Sequence, residues 1–175
     1  LDHLNISGTG FAGDILVTIP SSEDVNITRS RLTNMSIGVF ANNSNRTTIA
    51  DNNFTTFNNL PIALGGTNST IEGNYIDGSN FPTYGIRIGD SEHLLIKNNT
   101  IRTISSEPIG LVGVSTTKNN TIEFNTIENG GLAYRGVVLD FGSTFRNNTI
   151  RNYPRNEAVL LFVGGGNTFI NVTGN

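Results

Sequence analysis

An arginine, two carboxylates and an imidazole fall within seven residues of this chain: Arg87, Asp90, Glu92 and His93, with Asp140 further on. Those side-chain types could supply a general acid–base pair or begin a metal site. A metal ion wants three or more convergent ligands of matched type, and one histidine with two nearby carboxylates falls short of that. The group therefore reads first as a solvated loop, and no catalytic residue, metal ligand or cofactor is assigned from it. His3 stands alone near the first residue. With no cysteine in the chain, disulfides and thiolate metal sites are excluded.

A second chemistry is offered by aromatic rings. Phe81, Tyr84, Tyr134 and Tyr153, with Arg135, sit in the longest connecting segments and would form a ridge able to stack on the apolar faces of a sugar chain. The plainer reading, which comes first, is that the rings staple those segments onto the body of the protein. A third chemistry is modification. Asparagine followed by x-Ser/Thr occurs at Asn5, Asn26, Asn34, Asn42, Asn45, Asn53, Asn68, Asn98, Asn119, Asn147 and Asn171. That is roughly twice what composition alone would produce, and glycosylation at some of them would put the chain outside a cell.

The elements that must position these groups are set by a repeat. Paired apolar residues five apart recur as Ile6/Phe11, Ile27/Leu32, Ile49/Phe54, Ile71/Ile76, Ile96/Ile101, Ile122/Ile127 and Phe145/Ile150, and Phe169 opens an eighth unit. Successive units begin 21 to 26 residues apart, a period that signals a stacked-coil architecture. Within each period lies an apolar-x-apolar triplet: Ile15/Val17, Ile37/Val39, Ile62/Leu64, Ile86/Ile88, Ile109/Leu111, Val137/Leu139 and Val159/Leu161. Period-two alternation and β-branched residues read as short strands, so the expectation is an all-β solenoid of seven to eight coils with three strands each. The gap inside each pair is too short for an ordinary loop. Asn52, Asn74, Asn99, Asn125 and Asn148 recur there, as expected for a buried asparagine ladder at a tight turn.

Two outward columns support that alignment. Glu72, Lys97, Glu123 and Arg146 alternate in sign, as do Asp77, Arg102, Glu128 and Arg151, which suits a parallel stack held in register. Threonines at 48, 70, 121, 144 and 168 do not make an ice-binding array, because their partner column is the charged one.

Ile-Lys-Asn-Asn-Thr-Ile at 96–101 and Phe-Arg-Asn-Asn-Thr-Ile at 145–150, beside Gly-Ile-x-Ile-like strands, resemble right-handed parallel β-helix repeats of the pectate-lyase-like superfamily. The resemblance covers essentially the whole chain and implies a right-handed coil. Members of that superfamily that hydrolyse polygalacturonan-type chains carry Gly-His-Gly and Arg-x-Lys, and neither occurs here. Its lyases need acidic residues around calcium plus a base. The outward triplet residues, Leu16, Gly38, Ala63, Arg87, Gly110, Val138 and Leu160, supply one arginine among small and apolar groups. The expected type is therefore a surface protein and not a recognisable enzyme.

Charge is low, at 14% with a net −3, and no basic patch suits a nucleic acid. No run approaches a membrane span. One domain over 1–175 is expected, with a processed or excised chain suggested by Leu1 and by repeat units that reach both ends. Such ends invite self-association or flanking domains. The first functional expectation is a non-catalytic extracellular or cell-surface structural module, a sheath or filament block. The alternative is a carbohydrate-binding or polysaccharide-processing domain, with a polysaccharide as partner.

Overall fold

Short alternating runs separated by Asn, Gly and Ser leave this chain few options besides strands, and the computed structural model consists of them. It describes residues 1–11, 13–79, 84–111, 119–128, 137–139, 143–152, 159–161 and 171–173. The strands begin with β1 (Asn5–Ser7), β2 (Ile15–Pro20), β3 (Asn26–Thr28), β4 (Arg31–Asn42), β5 (Thr48–Ala50) and β6 (Asn53–Thr67). They continue with β7 (Thr70–Glu72), β8 (Tyr75–Asp77), β9 (Tyr84–Glu92), β10 (Leu95–Lys97), β11 (Thr100–Arg102) and β12 (Glu107–Leu111). The last are β13 (Thr121–Glu123), β14 (Thr126–Glu128), β15 (Val137–Leu139), β16 (Thr144–Arg146), β17 (Thr149–Arg151), β18 (Val159–Leu161) and β19 (Asn171–Thr173). Pairing between described strands is parallel, each strand lying on its counterpart one coil away.

The solenoid differs from the expected three-stranded coil. Among the described residues it has two sheets, one of twelve strands and one of seven, and about five turns instead of seven to eight. The reason lies in β4 and β6. Each runs unbroken through what the sequence divides into the end of one unit and the triplet of the next, so two expected columns become one sheet. Asn34 and Thr56 turn the chain at that bend with φ of 57° and 56° while the ladder continues on either side. The intervening residues are too few to leave the sheet, and breaking the ladder would strand backbone groups.

The core is a set of in-register stacks. Ile27, Ile49, Ile71, Ile96, Ile122 and Phe145 lie on one another and are fully buried. Leu32, Phe54, Ile76, Ile101 and Ile127 make a second stack. Each such side chain contributes about 1.5 to 3 kcal/mol by leaving water.

The corners of the coil repeat a single backbone device. Asp24, Arg46, Asn68, His93 and Asn119 occupy one corner with φ of 51° to 56°. Arg29, Asp51, Gly73, Asn98, Phe124 and Asn147 occupy the next, with φ of 47° to 64°. These left-handed residues are exposed except Gly73, which is half-buried; each of the second corner up to Phe124 gives its N–H to a carbonyl of the following coil. At Gly73 a Cβ would meet Asp51 Oδ1, the end of an exposed side chain that would have to turn aside.

Directly after the second corner comes a buried polar column. Asn52, Asn74, Asn99 and Asn125 each donate Nδ2 to Oδ1 of the next asparagine, at 3.1, 3.0, 3.0 and 2.9 Å, ending on Asn148. Ser30 extends the column by one coil, its N–H donating to Asn52 Oδ1 at 2.9 Å. The charge columns pair as well: Lys97 Nζ lies 3.0 Å from Glu72, while Arg146 and Arg151 lie 2.6 Å from Glu123 and Glu128. Such exposed pairs add little energy and mainly hold register. No helix among the described residues is long and apolar enough to cross a membrane.

Candidate active cleft

Outward residues of β4, β6 and β9 share one sheet face, and their register decides what stands beside what. The observed pairing is Val39 to Ile62 and Ala41 to Leu64, and Ile15, Val17 and Ile19 lie on Ile37, Val39 and Ala41. The sequence alignment of triplets set Ile37 opposite Ile62, two residues away from the observed register. A two-residue shift leaves every side chain on its own face, so alternation alone permits both. The observed register is set where β6 accommodates one extra residue: Met35 lies opposite Phe57, and Ile37 opposite Leu60.

With that register, the outward column in the middle of the sheet reads Thr18, Phe40, Ala63, Arg87 and Gly110. Gly38, expected there, lies elsewhere and is buried. In the sequence Phe40 is one phenylalanine among ten, and only its place in the column distinguishes it. It is 36% exposed.

Phe40, Asn42, Asn59, Ala63, Arg87 and Gly89 line a cleft of about 270 Å³, together with the apolar side chains of Ile37, Leu60 and Leu64. Arg87 is exposed, and its guanidinium stands 5.3 Å from the centre of the Tyr84 ring, a cation–π arrangement that steadies the side chain. Among the described residues no carboxylate forms an ion pair with Arg87. A guanidinium in that setting presents a planar fork of donors suited to a carboxylate from outside. Beside this cleft lies a more polar one of about 390 Å³, lined by Asn43, Asn45, Thr67, Asp90, Ser91 and Glu92.

The ionisable group picked out in the sequence does not converge. Arg87, Asp90 and Glu92 lie along the extended β9, so Asp90 is about 10 Å from Arg87 along the strand at the usual rise per residue. His93 serves as a left-handed corner residue, exposed, at φ 56°. Asp140 lies outside the described residues. No group of three or more metal-ligating side chains occurs among the described residues. Of the aromatic ridge, Tyr84 is half-buried under Arg87, while Phe81, Tyr134, Arg135 and Tyr153 lie outside the described residues.

Among the candidate glycosylation positions, Asn5, Asn26, Asn42, Asn53, Asn68, Asn98, Asn119 and Asn147 are exposed. Asn34 and Asn45 are partly buried: Asn34 Nδ2 donates to the Gly8 carbonyl at 2.9 Å, and Asn45 Oδ1 accepts the Thr67 N–H at 3.0 Å. Asn171 falls in β19. In Asn68, Asn98, Asn119 and Asn147 the Asn-x-Thr spacing is the spacing of the corner itself: a left-handed residue, a buried polar residue, then the first threonine of a strand. That geometry accounts for part of the excess.

The family model described as right handed beta helix region matches residues 15–174. No curated protein matches the sequence. Among solved structures, the chain is similar to a mannuronic acid specific polysaccharide family 6 lyase enzyme from human gut microbiota. Identity is 17%, the TM-score is 0.56, and the match covers 86% of this chain. The chain spans 43% of the lyase's length. At that identity the likeness establishes the fold. It also overturns the expectation of a surface-type repeat apart from any recognisable enzyme, and the leaning against enzymatic activity, because a polysaccharide lyase is built on this same coil. Of the two functional expectations, the carbohydrate one is the better supported, and the non-catalytic sheath or filament block is set aside.

Proposed function

Since the chain belongs to the right-handed β-helix family, we propose that it is a carbohydrate-processing domain that holds an acidic polysaccharide on the outer face of β4, β6 and β9. The observation that carries this is Arg87: a guanidinium steadied over Tyr84, at the edge of a partly apolar cleft, with no described carboxylate paired to it. A uronate carboxylate would accept two N–H bonds from that fork. Asn42 and Asn59 add amide donors and acceptors for sugar hydroxyls.

Pairing with Arg87 would neutralise the charge that opposes removal of the proton next to the carboxylate, the step that begins elimination of a uronic acid polymer. The base would take that proton, the electrons would form a ring double bond, and the glycosidic oxygen would leave and be protonated. Arg87 has the role of carboxylate-binding group in this reading. Asp90 is too far along β9 to be the base for a sugar seated on Arg87, so the proton acceptor is assigned to none of the described residues.

The reading carries two further proposals. A polymeric substrate suits an extracellular location, and the exposed amides of Asn68, Asn98, Asn119 and Asn147 are acceptors for glycans there. Mass spectrometry of the protein from its native source tests the second.

Incubation with uronate-rich and neutral polysaccharides tests the function itself, followed by ultraviolet absorbance of unsaturated uronate and by new reducing ends. The expected result is turnover of an acidic polymer, lowered roughly a hundredfold in Arg87→Ala. A cooperatively folded protein that neither binds nor cleaves any acidic polysaccharide would overturn the reading.

A further inference from the structure

We infer that Phe40 is a sugar-stacking subsite two coils away from Arg87, so that the polysaccharide chain crosses the strands and does not run along them. This rests on the carbohydrate reading above and adds the direction of the polymer and a second contact residue.

The argument begins with register. Phe40, Ala63 and Arg87 occupy one outward column on adjacent strands β4, β6 and β9. At the usual strand spacing the first and last are about 10 Å apart, a distance that exceeds one sugar ring. Between them stands only the methyl group of Ala63, and beyond Arg87 the column continues with Gly110, which has no side chain. The face is thus a shallow trough with an aromatic ring at one point and a cation at another.

Phe40 is a large apolar side chain left exposed on this face. Its ring remains 36% exposed on a face where Ala63 is buried, and it lines the same cleft as Arg87. An aromatic face offered at the mouth of a cleft with amides on its flank suits the apolar face of a pyranose.

Charge then selects the direction. A polyanion laid along β9 from Arg87 toward the end of the strand would reach the Glu92 carboxylate, which lines the neighbouring cavity. Laid across the strands it meets Ala63 and Phe40 on one side and Gly110 on the other, with no anionic group in the column. Like charges facing each other discriminate against the first path.

The test is calorimetric titration of the intact protein with uronate oligomers of increasing length, using Phe40→Ala, Phe40→Trp and Arg87→Ala, with melting curves to show that each variant folds. Phe40→Ala should weaken binding of the longer oligomers roughly tenfold and leave the monosaccharide unchanged, and Phe40→Trp should keep the wild-type affinity. Arg87→Ala should weaken every length. If Phe40→Ala binds the longest oligomer as tightly as wild type while Arg87→Ala loses it, the subsite is overturned and the carbohydrate reading stands. If the wild-type protein binds no acidic oligomer, both fall together.

Discussion

Asn99 gives both its backbone N–H and its side-chain amide to the same oxygen, Oδ1 of Asn125, at 2.9 and 3.0 Å. The arrangement recurs from Asn52 to Asn74, from Asn74 to Asn99 and from Asn125 to Asn148. Each side chain therefore satisfies the N–H of the preceding coil at a place where the strand ladder is interrupted, and Asn99 Nδ2 also reaches the Ile71 and Lys97 carbonyls. Deep burial makes these bonds costly to lose, because water cannot replace them.

Asn99→Ala should accordingly lower stability by roughly 1 to 3 kcal/mol, since it takes away the acceptor of the Asn74 N–H and the side-chain donor to the Ile71 carbonyl, both in the preceding coil. Asn53→Ala, at an exposed position, should stay within about 0.5 kcal/mol of the parent. Denaturant midpoints measure both. Equal losses at the two positions would remove the ladder from the account of stability.

Ile96 is fully buried and lies in register between Ile71 and Ile122. Ile96→Asp would bring an unpaired charge into that stack and should abolish cooperative folding. A variant that retains the parent's melting temperature would contradict the observed register.

Phe124 holds a left-handed backbone at φ 55° while its ring is 52% exposed, so the strain has no compensating burial. Asn98 and Asn147 take the same corner at 54° and 53°. Phe124→Asn should therefore raise stability by up to about 1 kcal/mol. A lower unfolding midpoint in the variant would mean that the exposed ring makes a contact that outweighs the strain.

Two exposed ion pairs fasten the first coils to their neighbours. The Arg29 guanidinium, with Thr28 and His3 beside it, holds the Asp2 carboxyl well below the usual carboxylate range, and Arg46 lowers that of Asp24. A depressed folded-state pKa contributes stability above the unfolded value, near 3.9, that is lost as pH falls through the folded value. Melting temperature should thus be level at neutral pH and decline below about pH 4. The Arg29→Ala and Arg46→Ala double variant should show a shallower decline. An unchanged acid profile would show that these pairs do not couple folding to protonation.

The repeat itself was legible because it is written in residue types. Ile27, Ile49, Ile71, Ile96 and Ile122 recur at nearly fixed spacing, Asn52, Asn74, Asn99, Asn125 and Asn148 recur within the paired units, and the charges of 72, 97, 123 and 146 alternate. Any chain with those periods must stack coil on coil to bury one face and pair its backbone. The sequence thereby determined a parallel solenoid and the residues in its central stacks. It did not determine that Ser30 would continue the polar column, or that Asp90 and His93 would be strung out along a strand and its corner away from Arg87. Its periods read as three strands per coil where there are two sheets, since whether β4 and β6 break or bend depends on backbone bonds to the coils above and below. Above all, Ile37/Val39 and Val39/Ala41 were both acceptable partners for Ile62/Leu64, because a slip of two residues preserves the buried face. Only the stacked structure chose between them, by the ladder that sets Val39 opposite Ile62 and Phe40 opposite Ala63, and that choice put Phe40 in one column with Arg87.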